Sequence, residues 1–286
     1  MAARGSAAYS SKVVTGSRSA RARGFLVRSL CAATLGCGSE NGSDGEVPGA
    51  EASAGGSGSV GSGSATGGGG SGDGVELGAF ATPACVAPEG FAAPRSIAAA
   101  VDWINRLPKP LSLSCFLETL ERPLPVYATV SVFSAQPAVG RRSPRMFLFA
   151  PPLIMSISPA GEGSHLLEFG EPRSVRSSLK GEIVFPVTGE LEPSAPYDHL
   201  IAGNLTTCGG CHGEEEPASD IPFARAFISR ALRPVPAERV GLEELHREAV
   251  DCDALAEPER CAMLIALFGQ GEVIDAEFPA TLDTFY

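Results

Sequence analysis

Apolar and polar residues alternate along residues 126–133, and this two-residue period predicts a β-strand with one buried face. Shorter apolar runs predict further strands at 146–149, 153–158, 165–169 and 179–185. Five short strands so close together indicate an antiparallel sheet.

Apolar residues three and four positions apart predict helices on both sides of these strands. One covers 96–106 and ends before Pro108, and the others cover 223–232, 242–249 and 258–268. The last of these is apolar almost all round, which predicts a deeply packed helix. The fold class expected is therefore α+β, with an antiparallel sheet in the first half and a short helical C-terminal half.

Composition divides the chain into three parts. Residues 1–37 hold six basic residues and no acidic residue, and residues 38–80 begin with 39 positions that include 15 Gly and 8 Ser. A segment with so few apolar side chains cannot offset its ordering entropy, which predicts a disordered tether. Residues 81–286 remain as one folded domain, expected to bind haem for the reasons below.

The basic leader has the features of an export signal, with a short apolar stretch after its positive charges. Its segment Thr34-Leu35-Gly36-Cys37 resembles a bacterial lipobox, although the residues before the cysteine depart from the usual pattern. That resemblance implies acylation of Cys37 and a lipid-anchored protein on the periplasmic side of the cell envelope. The alternative is a disordered basic leader with no role in export.

The formal net charge is −11, the opposite sign from a nucleic-acid binder, whose affinity comes from neutralising phosphates. We therefore expect no nucleic-acid partner. An acidic surface favours a partner protein of basic character through electrostatic steering. No apolar run is long enough to cross a bilayer, so membrane contact is expected through the lipid anchor only.

The sequence Cys208-Gly-Gly-Cys211-His212 carries the chemistry of the chain. It has the spacing of a c-type haem attachment site. Two intervening residues let both thiols reach the two vinyl groups on one porphyrin edge, and the next imidazole then faces the iron. About ten residues here resemble the haem-attachment turn of c-type cytochromes. The resemblance implies one covalent haem c, thioether bonds from Cys208 and Cys211, and His212 as the proximal iron ligand.

Other chemistry is open to the same residues. The two cysteines are also candidates for a tight disulfide, for a redox-active pair, or for half of a zinc site. The distal haem ligand is equally open. Met263 lies in the apolar helix and is expected to pack, His246 lies on a polar helix face, and His199 precedes the motif. An open distal position would permit ligand binding or catalysis.

A β half ahead of the motif departs from the small helical cytochromes. It is similar to c-type haem proteins that carry the motif late in an antiparallel β domain, some of which act on small nitrogen compounds and cross-link a lysine to the haem. By that analogy Lys180, on a predicted strand, is the candidate lysine.

Four cysteines remain in the body, and even parity in an exported protein suggests two disulfides. Nearest-neighbour pairing gives Cys85–Cys115 and Cys252–Cys261, one of three possible connectivities. No catalytic residue is assigned. The function expected is single-electron transfer with a redox partner protein at the envelope. The alternatives are an envelope module in which Cys208 and Cys211 form a disulfide, and a haem enzyme with an open distal site.

Overall fold

A mostly antiparallel sheet organises the part of the chain that the computed structural model describes, residues 85–90 and 93–285. The leader 1–37 with Cys37, and the linker 38–80, lie outside these residues. The expected α+β class with a large antiparallel sheet is confirmed.

The elements, in chain order, are α1 (Ile97–Arg106), α2 (Leu113–Glu118), β1 (Leu124–Thr129), β2 (Arg145–Ala150), β3 (Leu153–Ile157), β4 (Leu166–Pro172), β5 (Ser177–Val184), α3 (Ala195–Asp198), β6 (Ile201–Ala202), β7 (Leu205–Thr206), α4 (Gly209–His212), β8 (Glu216–Pro217), β9 (Phe227–Arg230), β10 (Leu232–Arg233), β11 (Arg239–Val240), α5 (Leu242–Val250), α6 (Pro258–Phe268), β12 (Val273–Asp275) and β13 (Asp283–Thr284).

The helix ends follow from local chemistry. The side chain of Ser96 caps α1 by accepting a hydrogen bond from the Ala99 amide at 3.1 Å. Pro258 occupies the first turn of α6, where a missing amide proton costs nothing. Helix α2 was not predicted, because its six residues are too short for a periodic signal, although Ser112 caps it in the same way.

Strands β1 to β5 follow one another as antiparallel neighbours, and the full order is β11-β1-β2-β3-β4-β5-β9-β8. Strand β12 adds to β1 as a parallel neighbour. The strand predicted at 126–133 ends at Thr129, where its pairing with β2 ends.

The first face of the sheet is covered by helices and forms the core. Strands β1 to β5 contribute alternate side chains to it, which pack with the apolar stripes of α1, α2, α5 and α6. Gly181 on β5 leaves room for this contact, because a Cβ there would lie 3.2 Å from Ile97 Cδ1.

The helix predicted at 223–232 is wrong. The segment forms strands β9 and β10, and β9 pairs antiparallel with the edge of β5, Leu179 opposite Ile228. The apolar residues of this segment fit both the helical spacing and the two-residue period of a strand. Pairing with a free sheet edge favours the strand over the helix. The C-terminal half therefore mixes strands with the helices α5 and α6, both of which begin where predicted.

Across residues 85–90 and 93–285, none of the helices combines the length and the apolarity that a bilayer crossing requires.

Candidate functional site

One helical turn presents both motif cysteines and the histidine. Cys208 precedes the four-residue helix α4, and its carbonyl accepts hydrogen bonds from the amides of Cys211 at 3.1 Å and His212 at 2.8 Å. The turn ends at Gly213, whose φ of 58° is a conformation that glycine adopts without strain. The three side chains are thus held by one short backbone segment.

Glu215 fastens this turn to strand β7. Its carboxylate accepts a hydrogen bond from the Thr206 amide at 2.8 Å and a second from the Thr206 hydroxyl. The two glycines between the cysteines differ in this respect. A Cβ on Gly209 would lie 2.6 Å from Glu215 Oε2, whereas a Cβ on Gly210 would meet nothing within 4 Å. A side chain at position 209 would therefore clash with the Glu215 carboxylate, whereas position 210 has room for one.

His212 has a fixed tautomer. Its Nδ1 lies 2.7 Å from the carbonyl oxygen of Arg230 on β9, which can only accept a hydrogen bond. Nδ1 therefore carries the proton, and Nε2 keeps its lone pair. Burial lowers the pKa of His212 to about 3, and the charge of Lys180 acts in the same direction. The imidazole is neutral at physiological pH, the form that ligates metals.

The two motif cysteines are free thiols, and they differ in environment. Burial raises the pKa of Cys208 to about 11, so its thiol stays protonated, whereas Cys211 is exposed. The other described cysteines form two disulfides, Cys85–Cys115 with a Cα–Cα distance of 5.3 Å and Cys252–Cys261 with 5.6 Å. This is the nearest-neighbour connectivity.

All three motif side chains line a cavity of about 460 Å³ over the second face of the sheet. That volume is in the range of small-molecule and cofactor sites. Its walls are mostly apolar. The apolar lining comes from the sheet, from Leu200 after α3 and from the C-terminal segment, chiefly Phe147, Ile154, Phe278, Leu282 and Phe285.

The C-terminal segment is anchored to the sheet by an aromatic cluster. Phe278 lies edge-on to Tyr127, Phe147 and Phe149, with ring centroids 5.0 to 5.3 Å apart. Farther along, β13 pairs parallel with β10, and Asp283 accepts a hydrogen bond from Arg230 at 3.1 Å. The residue whose carbonyl orients His212 thus also holds the segment that closes the cavity.

A polar row crosses the floor of the cavity. Arg145 donates to Ser156 Oγ at 2.9 Å and forms a close ion pair with Glu168. Ser156 in turn donates to Gln136. The ion pair and these hydrogen bonds fix the row in place.

Glu182 and Lys180 are the other charged groups of the floor, two residues apart on β5. Burial and the charge of Glu168 raise the pKa of Glu182 to about 7. Lys180 donates to Ser178 Oγ at 2.8 Å.

Gly170 leaves a bare patch in this floor, between Ile154 on β3 and Lys180 on β5. A Cβ at Gly170 would meet a single neighbour within 4 Å, Ser178 Oγ at 3.8 Å. A Cβ at this position would therefore project into the cavity with no close contact.

The remaining candidate ligands lie away from the cavity. Met263 is 5% exposed and packs in the helical core, as the apolar helix predicted. His246 lies edge-on to Phe268 on the helical side. His199 is exposed at the end of α3 and does not line the cavity.

Sequence reasoning identified the motif and Lys180 but missed the rest of the cavity. Glu168 and Glu182 occupy positions of predicted strands on one face, and the strand period carried that signal. Arg145 and Gly170 lie one residue beyond the predicted bounds of β2 and β4, so continuing the same period would have placed them on that face. The wall formed by 276–285 had no such signal, because it comes from a segment without sequence periodicity.

No protein-family model, curated protein or solved structure matches the chain. Within the described residues, no group of three or more His, Cys, Asp or Glu side chains is arranged to hold a metal ion.

Proposed function

We propose that the chain is a c-type haem protein that binds one covalent haem in this cavity. Cys208 and Cys211 would form the thioether bonds, and His212 would be the axial ligand. The observation that carries the proposal is the convergence of two free thiols and one neutral imidazole on a mostly apolar cavity of about 460 Å³.

Two further features fit a flat macrocycle. The bare patch at Gly170 offers a surface that a planar group can cover. The hydrogen bond from His212 Nδ1 to the Arg230 carbonyl leaves Nε2 for iron. A metal-ligating histidine usually donates such a hydrogen bond from the ring nitrogen that does not bind the metal. The fit therefore extends beyond the motif to the walls.

We propose that the iron has no second protein ligand of the His or Met type. Among the described residues that line the cavity, His212 is the one histidine. Met155 borders the cavity but belongs to the buried core of the other face, and Met263 lies in the same core. When bound, the haem supplies a one-electron redox centre with a coordination position for a small ligand. This favours ligand binding or small-molecule redox chemistry.

Simple electron transfer is the second candidate. Cys211 is exposed, so the haem edge that it would hold lies near the surface, where a redox partner could approach. The net charge of −11 favours a partner of basic character. We also propose an envelope location on the periplasmic side with a lipid anchor at Cys37, because the two disulfides are typical of an oxidising compartment.

Co-expression with a cytochrome c maturation system tests the proposal. The purified protein should keep its haem through denaturation and give a pyridine haemochrome spectrum of the thioether type. The Cys208→Ser, Cys211→Ser double variant should lose it, and wild type expressed without the maturation system is the control for non-specific haem. A colourless wild type would overturn the proposal, and a Cys208–Cys211 disulfide in it would favour the non-haem envelope module.

Carbon monoxide separates the two candidate functions. If the coordination position is open, the reduced protein should bind carbon monoxide at once and shift its Soret band. Met263→Leu should leave this binding unchanged, because Met263 packs in the core on the other face of the sheet. Reduced protein that does not bind carbon monoxide would favour the electron carrier.

A further inference from the structure

Lys180 places a buried cation inside the cavity. It lies in the middle of β5 on the face that the cavity covers, and it is 9% exposed. Among the described residues its hydrogen-bond partner is the hydroxyl of Ser178, at 2.8 Å. An ammonium group has three N–H donors, so this contact leaves two of them without a partner among the described residues.

Among the described residues, no acidic group forms an ion pair with Lys180, although the charges of Glu168 and Glu215 act on its pKa. Glu168 is paired with Arg145, and the Glu215 carboxylate accepts hydrogen bonds from Thr206 outside the cavity lining. Glu182 faces the same cavity, but its raised pKa of about 7 leaves it only about half ionised at pH 7. Cys208 is a protonated thiol. Burial lowers the pKa of Lys180 to about 8, so the ammonium form still predominates at pH 7.

An isolated charge in an apolar setting is costly unless a counter-ion and hydrogen bonds accompany it. We propose that the Lys180 ammonium and the Ser178 hydroxyl bind a small, singly charged anion inside the cavity. The ligand class comprises azide, nitrite, formate and anions of similar size. This inference depends on the proposed haem only for the spectroscopic test described below.

A haem propionate is the other source of negative charge, and the position of Lys180 argues against it. Lys180 and Cys208 are close enough for each to act on the pKa of the other. Cys208 would hold the vinyl edge of the macrocycle, and the propionates are carried on the opposite edge. The anion at Lys180 therefore comes from solution.

Azide titration of the oxidised haem protein tests the site, followed by the Soret band. Lys180→Met should raise the azide Kd roughly tenfold to hundredfold, the range expected for a lost hydrogen bond to a charged group. Imidazole, a neutral ligand, should bind both proteins equally. Lys109→Met is the matched control, because Lys109 donates to backbone carbonyls outside the cavity and should leave the azide Kd unchanged.

A second readout does not need haem. In the Cys208→Ser, Cys211→Ser variant, azide at constant ionic strength should raise the melting temperature, and adding Lys180→Met should abolish the rise. Failure of wild type to bind haem would overturn the proposed function. The melting temperatures would then still test the anion site. Equal losses of azide and imidazole affinity, an unchanged azide Kd, or a covalent bond between Lys180 and haem in the mass spectrum would overturn the anion site.

Discussion

At the scale of single residues, the motif is positioned by side chains that the motif itself does not contain. Arg230 supplies the carbonyl that fixes the His212 tautomer, and Glu215 ties the turn to Thr206. Both partners lie outside the five-residue pattern. Residue chemistry therefore indicates which side chains are proposed to bind haem, whereas the orientation of those side chains depends on neighbours that the folded chain provides.

The two glycines of the motif should respond differently to alanine. A Cβ at Gly209 displaces the Glu215 carboxylate from Thr206, a loss of about 1–3 kcal/mol that exceeds the helix gain of about 1 kcal/mol. Gly210→Ala meets no neighbour and should be neutral or stabilising. Urea denaturation of both variants measures the difference. Equal stabilities would show that Glu215 does not hold the turn.

Glu182 should make stability depend on pH. Its folded-state pKa of about 7 lies above the ordinary value of 4.5, so the folded protein binds a proton more tightly than the unfolded chain. The associated stability is present below about pH 4.5 and is lost as the pH rises towards 7. Glu182→Gln should therefore stabilise the haem-free protein more at pH 8 than at pH 5. Unfolding free energies at the two pH values measure this, and the same effect at both would contradict it.

At the scale of elements, the periodicity of the sequence predicted β1 to β5, α1, α5 and α6 because each buries one continuous face. It failed at β9, where Phe227 and Ile228 fit either period and the free edge of β5 decided the outcome. It also could not assign function to the polar positions of the strands. Those positions became a cavity floor only through the register that sets Gly170 opposite Lys180.

A pair of glycine variants can test the different roles of the two faces of the sheet. A Cβ at Gly170 would face the cavity with one neighbour within 4 Å, Ser178 Oγ at 3.8 Å, so Gly170→Val should keep stability within about 1 kcal/mol of wild type. It should nevertheless reduce haem content or carbon monoxide affinity. A Cβ at Gly181 would face the core, 3.2 Å from Ile97 and 3.3 Å from Pro196. Gly181→Val should therefore lower the unfolding free energy by about 1–3 kcal/mol. Undiminished haem binding by a folded Gly170→Val protein would show that the macrocycle does not cover this patch.

At the scale of the whole molecule, the six described cysteines fall into two sets. Cys252–Cys261 joins the end of α5 to α6, and Cys85–Cys115 ties the start of the described chain to α2. Both bonds belong to the helical side, whereas Cys208 and Cys211 line the cavity on the other face as free thiols. The fold thus keeps the structural cross-links apart from the thiols proposed for haem.

This separation predicts the chemistry of protein exported without a haem maturation system. The four cysteines of the helical side should be oxidised as the two native pairs. Cys208 and Cys211 should react with an alkylating reagent after denaturation, as peptide mapping by mass spectrometry can show.

In the loop-entropy treatment, the Cys85–Cys115 bond contributes roughly 3.7 kcal/mol and the Cys252–Cys261 bond about 2.7 kcal/mol, because the first closes the longer loop. Replacing the first pair by alanine should therefore lower the unfolding free energy more than replacing the second. Mixed connectivities involving Cys208 or Cys211 would show that the fold does not keep the two sets apart, and would weaken the assignment of these thiols to haem.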